Sequence, residues 1–125
     1  MTELALADIN KAMELTDQRN YAYYYGRRSG IYRYAGMYKE AIEDLDKYIE
    51  RYPTDAYGYY ARGWCQELSG DSKGAMEDYN IAIDLEPKNP LARMNRALLR
   101  EKIGDYIGFG KSSVEWAFSF AIFFL

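Results

Sequence analysis

Residues 56–89, AYGYYARGWCQELSGDSKGAMEDYNIAIDLEPKN, decide the fold of this chain. They predict two amphipathic helices joined by a turn at Gly70, and Pro87 ends the second helix because proline lacks the amide proton that a helix interior needs. Landmarks within this stretch recur at intervals of 34 residues: Gly36, Gly70 and Gly104, and likewise Arg28, Arg62 and Arg96. Such fixed self-similarity predicts an array of helical hairpins, each of which buries its apolar stripe against its neighbours.

The rest of the chain divides at the same period. The predicted units are a lone second helix at 3–16, helix pairs at 22–55 and 56–89, the first helix and turn of another pair at 90–107, and a divergent tail at 108–125. Polar residues that commonly cap helices precede the helices: Thr2, Thr54 or Asp55, Asp71 or Ser72, and Asn89 before Pro90. We therefore expect one all-α domain, an antiparallel helix-hairpin solenoid of about 2.5 repeats.

Composition narrows the classes of function. The 125 residues are 49% hydrophobic and 28% charged, with a net charge of −3, one cysteine and no histidine. A small negative charge predicts no broad field for nucleic acid, and without histidine neither a histidine-based catalytic pair nor an ordinary zinc site can form. We expect a non-enzymatic, cytoplasmic protein with no cofactor and no metal. No apolar run is long enough for a transmembrane helix.

The period and the spacing of small and aromatic residues resemble the tetratricopeptide repeat (TPR). The residues that carry the resemblance in the two complete units are Tyr25, Ser29, Ala41, Leu45, Tyr48 and Pro53, and then Tyr59, Gly63, Ala75, Tyr79, Ala82 and Pro87. Residues 3–16 look like the second helix of an earlier unit, through Ala5, Ile9 and Ala12, although Ala5 precedes Ala41 by 36 residues instead of 34. The resemblance covers residues 3–107 and implies a protein–protein interaction scaffold.

In this family the first helix of each pair lines a concave groove that holds a peptide segment of a partner protein. The groove positions implied for this chain are Tyr23, Arg27, Arg33, Tyr57, Tyr60, Trp64, Met94, Asn95 and Leu98. Tyr57, Tyr60 and Trp64 share one helical face, so we expect them to contact the partner; packing against a neighbouring helix is the alternative.

The chaperone-binding branch of the family holds a C-terminal carboxylate with Lys and Asn side chains in this groove. Gly26, Gly30 and Ala61 occupy the corresponding positions here, so that carboxylate clamp is absent. The resemblance therefore implies an apolar or aromatic peptide, with Arg27 and Arg33 favouring acidic residues at one end.

Two charged series share the repeat period. Arginines recur at Arg28, Arg62 and Arg96, and aspartates at Asp8, Asp44 and Asp78. We interpret them as partly buried structural ion pairs between adjacent helices, since the acidic partners recur in step with the arginines. The alternative is a basic ladder that grips an acidic ligand.

The last residues depart from the repeat. A new helix could start at Ser112, with Glu115 completing a capping box, and its body, VEWAFSFAIFFL, is apolar on nearly every helical face and therefore needs a partner surface. The tail could cap the array, form a homodimer through residues 112–125, or touch a membrane surface. The alternative function is accordingly a structural module that self-associates through its tail. Cys65 is expected to be a small packed residue.

Overall fold

The computed structural model describes residues 1–104, which form six α-helices and one short 3₁₀ helix. The α-helices are α1 (Thr2–Glu14), α2 (Tyr21–Tyr34), α3 (Tyr38–Arg51), α4 (Ala56–Ser69), α5 (Ser72–Leu85) and α6 (Pro90–Ile103), and the 3₁₀ helix at Gln18–Asn20 links α1 to α2. Each helix packs against the next one along the chain, and α4 also contacts α6. The predicted all-α solenoid is confirmed for the described range, in which no strand occurs.

Several predictions concern residues that lie outside the described range. They are the end of the unit at 90–107, the capping box at Ser112 and Glu115, and the apolar tail at 108–125. Of the helices within residues 1–104, none is long and apolar enough to cross a lipid bilayer.

Side-chain caps and left-handed glycines set several of the helix ends. The carboxylates of Asp55 and Asp71 accept from the backbone N–H groups of Tyr57 (3.0 Å) and Gly74 (2.9 Å). The amide oxygen of Asn89 accepts from Leu91 N–H at 2.9 Å. At the end of α4, Gly70 adopts φ 97°, a left-handed conformation that glycine takes without a Cβ penalty. The side-chain contacts of Asp55, Asp71 and Asn89 satisfy N–H groups that the first turn of a helix leaves without partners.

The start and end of α1 differ from the prediction. Thr2 is the first helical residue and not the cap, since Met1 takes the cap position without a side-chain hydrogen bond. The helix ends at Glu14 and not at 16, because the Thr16 hydroxyl donates to the Ala12 carbonyl at 2.8 Å and Asp17 then caps the 3₁₀ helix. This extra turn accounts for the longer spacing between the first two units.

Small residues let the two helices of a pair approach closely. A Cβ atom on Gly63 in α4 would lie 2.9 Å from the Tyr79 ring and 3.2 Å from the Ala75 carbonyl oxygen in α5. Ala75 and Tyr79 are fully buried and form a core cluster with Leu99 of α6. Gly63, Ala75 and Tyr79, three of the residues that carry the family resemblance, therefore allow α4 and α5 to pack closely.

Candidate peptide-binding groove

The first helices of the pairs, α2, α4 and α6, provide the candidate groove. Of the nine predicted positions, four present large, exposed hydrophobic side chains: Tyr23, Tyr57, Met94 and Leu98. Arg27 is also exposed, and the half-buried members of the predicted set are Arg33, Tyr60, Trp64 and Asn95. The nine predicted positions therefore divide into an accessible group and a group that is partly engaged with neighbouring residues.

Arg33 and Trp64 connect α2 to α4 across the groove. The guanidinium carbon of Arg33 lies 3.7 Å from the centroid of the Trp64 ring, well inside the range of a cation–π contact. One face of the indole is consequently covered by an arginine. Trp64 therefore orients Arg33 and offers only its remaining surface to a ligand.

Tyr60 packs mainly within the protein. It is half-buried and contacts two core clusters, one that includes Ala82 and Ala92 and one that includes Tyr79. Its ring centroid lies 6.4 Å from that of Tyr79 and 6.0 Å from that of Trp64. Packing against neighbouring helices, the alternative that the sequence left open for these rings, describes Tyr60 better than a free contact residue does.

Tyr57 links the groove surface to the core. Its side chain is 43% exposed, and its ring packs edge-to-face on Tyr48 at a centroid distance of 5.5 Å. The hydroxyl donates a long hydrogen bond of 3.5 Å to the Gly26 carbonyl. Burial raises the pKa of Tyr57, while the positive charges of Arg27 and Arg33 act to lower it. The positive charges of Arg27 and Arg33 are therefore close enough to the Tyr57 hydroxyl to affect its ionisation.

A hollow lies between α1, α2 and α4, with a volume of about 630 Å³; we call it the N-terminal hollow. Its lining includes the apolar Ala5, Ile9 and Ile31, the aromatic Tyr34 and Tyr57, and the cationic Arg27 and Arg33. No acidic side chain is among the described residues that line it. Gly30 lies on the same surface, and a Cβ there would meet no atom within 4 Å. The N-terminal hollow is therefore open, partly apolar and positively charged.

Two arginines of the periodic series, Arg28 and Arg62, form paired contacts with aspartates behind the groove. The guanidinium of Arg28 donates to both carboxylate oxygens of Asp44, at 2.7 and 2.8 Å. Arg62 repeats the arrangement with Asp78, at 2.7 and 2.9 Å. Both aspartates are almost completely buried, and their hydrogen bonds raise the pKa of each arginine. Two-point, charge-assisted contacts of this kind are strong and geometrically specific.

Each arginine also reaches back to the preceding unit. The acceptors there are Asn10 for Arg28 (2.9 Å), Asp46 for Arg62 (2.9 Å) and Asn80 for Arg96 (2.7 Å). The predicted ion pair of Arg96 is not found within residues 1–104, where Asn80 is its only side-chain acceptor. The predicted role of Asp8 is wrong: Asp8 is exposed, forms no ion pair within residues 1–104, and Asn10 is the α1 residue that contacts Arg28. Paired aspartates lie 16 residues after their arginines, whereas Asp8 lies 20 residues before Arg28.

Comparisons with known proteins agree with this architecture. Two family models described as tetratricopeptide repeat match residues 22–55 and 45–77. The chain belongs to the tetratricopeptide-repeat family. A TPR repeat-containing protein of Methanocaldococcus jannaschii is 35% identical over 101 residues, which cover 81% of this chain and 17% of that protein. The chain spans between 17% and 25% of the length of the first curated relatives that it matches.

Solved TPR structures share the fold. The TPR domain of Arabidopsis OM64 superposes with a TM-score of 0.70 and 25% identity, covering 80% of this chain and 81% of that one. The first TPR domain of Spaghetti (RPAP3), solved with the HSP90 peptide SRMEEVD, gives a TM-score of 0.73 at 17% identity and covers 82% of this chain and 80% of that one. At this identity, the second likeness concerns the fold alone.

Some features of this TPR array were missed by sequence reasoning. Asn10, Asp46 and Asn80, which accept from the arginines of the following units, have the same spacings, 36 and then 34, as the landmark alanines. A search for amides and carboxylates together at this period could therefore have revealed them. Cys65, in contrast, is 1% exposed as expected, and burial raises the pKa of its thiol to about 11. It packs with Ala41, Leu45 and Ala61 between α3 and α4.

Proposed function

We propose that this chain is a non-enzymatic interaction scaffold that binds a peptide segment of another protein in the groove of α2, α4 and α6. The observation that carries the proposal is the row of exposed large apolar side chains on these helices. Met94 and Leu98, each 53% exposed, stand one helical turn apart on α6, and Tyr57 stands on α4. Burying such side chains against a partner removes apolar surface from water and stabilises the complex.

The peptide would differ from one held by a carboxylate clamp. The Spaghetti structure contains a peptide that ends in EEVD. Gly26, Gly30 and Ala61 stand at the clamp positions of this chain, and they offer neither the amine nor the amide that such a clamp needs. We therefore propose recognition through apolar and aromatic contacts along the groove. A cytoplasmic location stays a prediction.

Selection of binders from a random-peptide display library on the immobilised chain tests the proposal. We expect apolar and aromatic peptides to be enriched, and we expect the Met94→Ala, Leu98→Ala double variant to bind the selected peptide about tenfold more weakly in fluorescence polarisation. The matched control is Ile81→Ala with Leu85→Ala, two partly exposed residues of α5, the second helix of its pair. Failure to enrich any peptide, or equal binding by both double variants, would contradict the groove assignment.

The sequence of residues 112–125 supports a second candidate, self-association through the apolar tail. Aggregation or pairing is the usual outcome for an apolar surface that lacks a partner. Sedimentation of the full chain and of a version that ends at Asp105 separates the two candidates. The self-association candidate requires a larger species for the full chain only; two equally soluble monomers would exclude it.

A further inference from the structure

The three arginines of α2 differ in whether their guanidinium groups form hydrogen bonds within residues 1–104. Arg28 is bound on two sides, by Asp44 and by Asn10. Arg27 and Arg33, which face the N-terminal hollow, take part in no hydrogen bond or ion pair within residues 1–104. A guanidinium is always charged and carries five donors, so these two groups present positive charge and free donors to whatever enters the hollow.

Arg33 is also held in place before any ligand arrives. Its guanidinium stacks on the Trp64 ring at 3.7 Å, and stacking on a face leaves the N–H groups at the edge of the guanidinium available. That edge matches the two oxygens of a carboxylate. A side chain that is already ordered loses less conformational freedom on binding, which favours affinity.

The surface beside the two arginines suits a peptide backbone and an apolar side chain. Gly30 leaves open space, since a Cβ there would have no neighbour within 4 Å. Ala5, Ile9 and Ile31 provide an apolar wall that is only partly buried. A ligand can thus bring its main chain close to α2 while one apolar side chain rests against α1.

We propose that the N-terminal hollow is a subsite for an acidic residue and an adjacent apolar residue of the bound peptide, with the carboxylate held by Arg33 and Arg27. The occupant is an extended segment of a partner protein, chosen because its charge complements that of the hollow. This subsite rests on the proposed function, and it uses positions other than Gly26, Gly30 and Ala61. It also gives the bound peptide a direction, with its acidic residue at the α2 end of the groove.

A random-peptide display library, selected on the wild-type chain and on an Arg27→Gln, Arg33→Gln variant, tests the subsite. We expect the wild-type chain to enrich peptides with Asp or Glu next to a Leu, Ile or Phe, and the variant to enrich apolar peptides without the acid. Apolar peptides from both chains with no acidic preference would overturn the subsite but leave the proposed function standing. Selection of nothing by the wild-type chain would overturn both.

Affinities of one selected peptide sharpen the test. We expect Arg33→Gln to weaken binding about tenfold and to make the remaining affinity less dependent on salt concentration. Replacement of the peptide's acidic residue by the corresponding amide should have the same two effects. The control is Arg51→Gln, which removes an exposed charge from α3, outside the hollow. Equal losses for Arg33→Gln and Arg51→Gln would show a general charge effect and overturn the subsite. Circular dichroism and thermal unfolding establish that each variant is folded.

Discussion

Arg62 joins three helices through one side chain. It stands on α4, binds Asp78 of α5 through two oxygens and reaches Asp46 of α3 at 2.9 Å. Its two aspartates differ in burial, since the side chain of Asp78 is 5% exposed and that of Asp46 is 55% exposed. A charge that is buried depends on its partner far more than a charge that water can solvate.

We predict that Arg62→Leu lowers the free energy of unfolding by about 3 kcal/mol, because the Asp78 carboxylate is left buried without its partner. Asp46→Asn removes only the exposed contact and should cost less than about 1 kcal/mol. Urea unfolding followed by circular dichroism measures both. A loss of similar size in the two variants would mean that burial of Asp78 does not govern the contribution of this arginine.

Cys65 makes stability depend on pH in the alkaline range. Its pKa is raised from 9.0 to about 11 because the folded chain buries the thiol. The unfolded chain therefore releases the thiol proton at a lower pH than the folded chain does. The contribution of this group is fully present below pH 9, and it is lost as the pH rises through the interval between the two values.

We predict that wild-type protein loses stability more steeply than Cys65→Ala between pH 9 and pH 11, the interval set by the two pKa values. The comparison with the variant removes the contributions of all other titrating groups, which the two proteins share. Chemical unfolding at several pH values measures the difference. Parallel stability curves would show that the thiol is not desolvated in the folded chain.

The effect of a glycine-to-alanine substitution on stability depends on whether the glycine lies at a contact between two helices. At Gly63 an added Cβ would press on the Tyr79 ring, which is fully buried and whose hydroxyl donates to Glu67 at 2.7 Å. At Gly30 the same atom would meet nothing within 4 Å. Both glycines lie inside helices, where alanine is intrinsically better by about 0.5–1 kcal/mol. The helix–helix contact therefore decides the sign of the substitution.

We predict that Gly63→Ala destabilises the chain by about 1–3 kcal/mol, since the ring and the helix must shift to admit the methyl group. Gly30→Ala should stabilise it by about 0.5–1 kcal/mol through helix propensity. Thermal unfolding of the two variants and of the wild-type protein measures both changes in stability. Stabilisation by Gly63→Ala would contradict the close approach of α4 and α5.

The helices could largely be read from the sequence, because the repeat period, Gly70, the prolines and the caps Asp55 and Asn89 act locally. The contacts between side chains of different helices could not be predicted from the sequence. Helical spacing places Tyr57, Tyr60 and Trp64 on one face, but it does not reveal that Tyr60 packs on Tyr79 or that Arg33 covers Trp64. Those outcomes depend on the distance between neighbouring helices and on side-chain direction, which spacing along one helix does not contain.

The array as a whole presents two ends with different chemistry. The end at α1 and α2 carries Arg27 and Arg33 beside the N-terminal hollow, and the end at α6 carries the exposed Met94 and Leu98. A peptide that spans the groove would therefore bind through charge at one end and through apolar burial at the other. We expect salt to weaken the first contact and to leave the second nearly unchanged.

Chemical-shift mapping of a display-selected peptide on the isotope-labelled chain tests whether the groove is the binding surface. We predict that the amide signals that move most belong to α2, α4 and α6, including those near Arg33, Tyr57 and Leu98. Signals from the solvent-exposed residues of α3 and α5 should stay in place. Shifts concentrated on exposed residues of α3 and α5, with α2, α4 and α6 unaffected, would contradict the account.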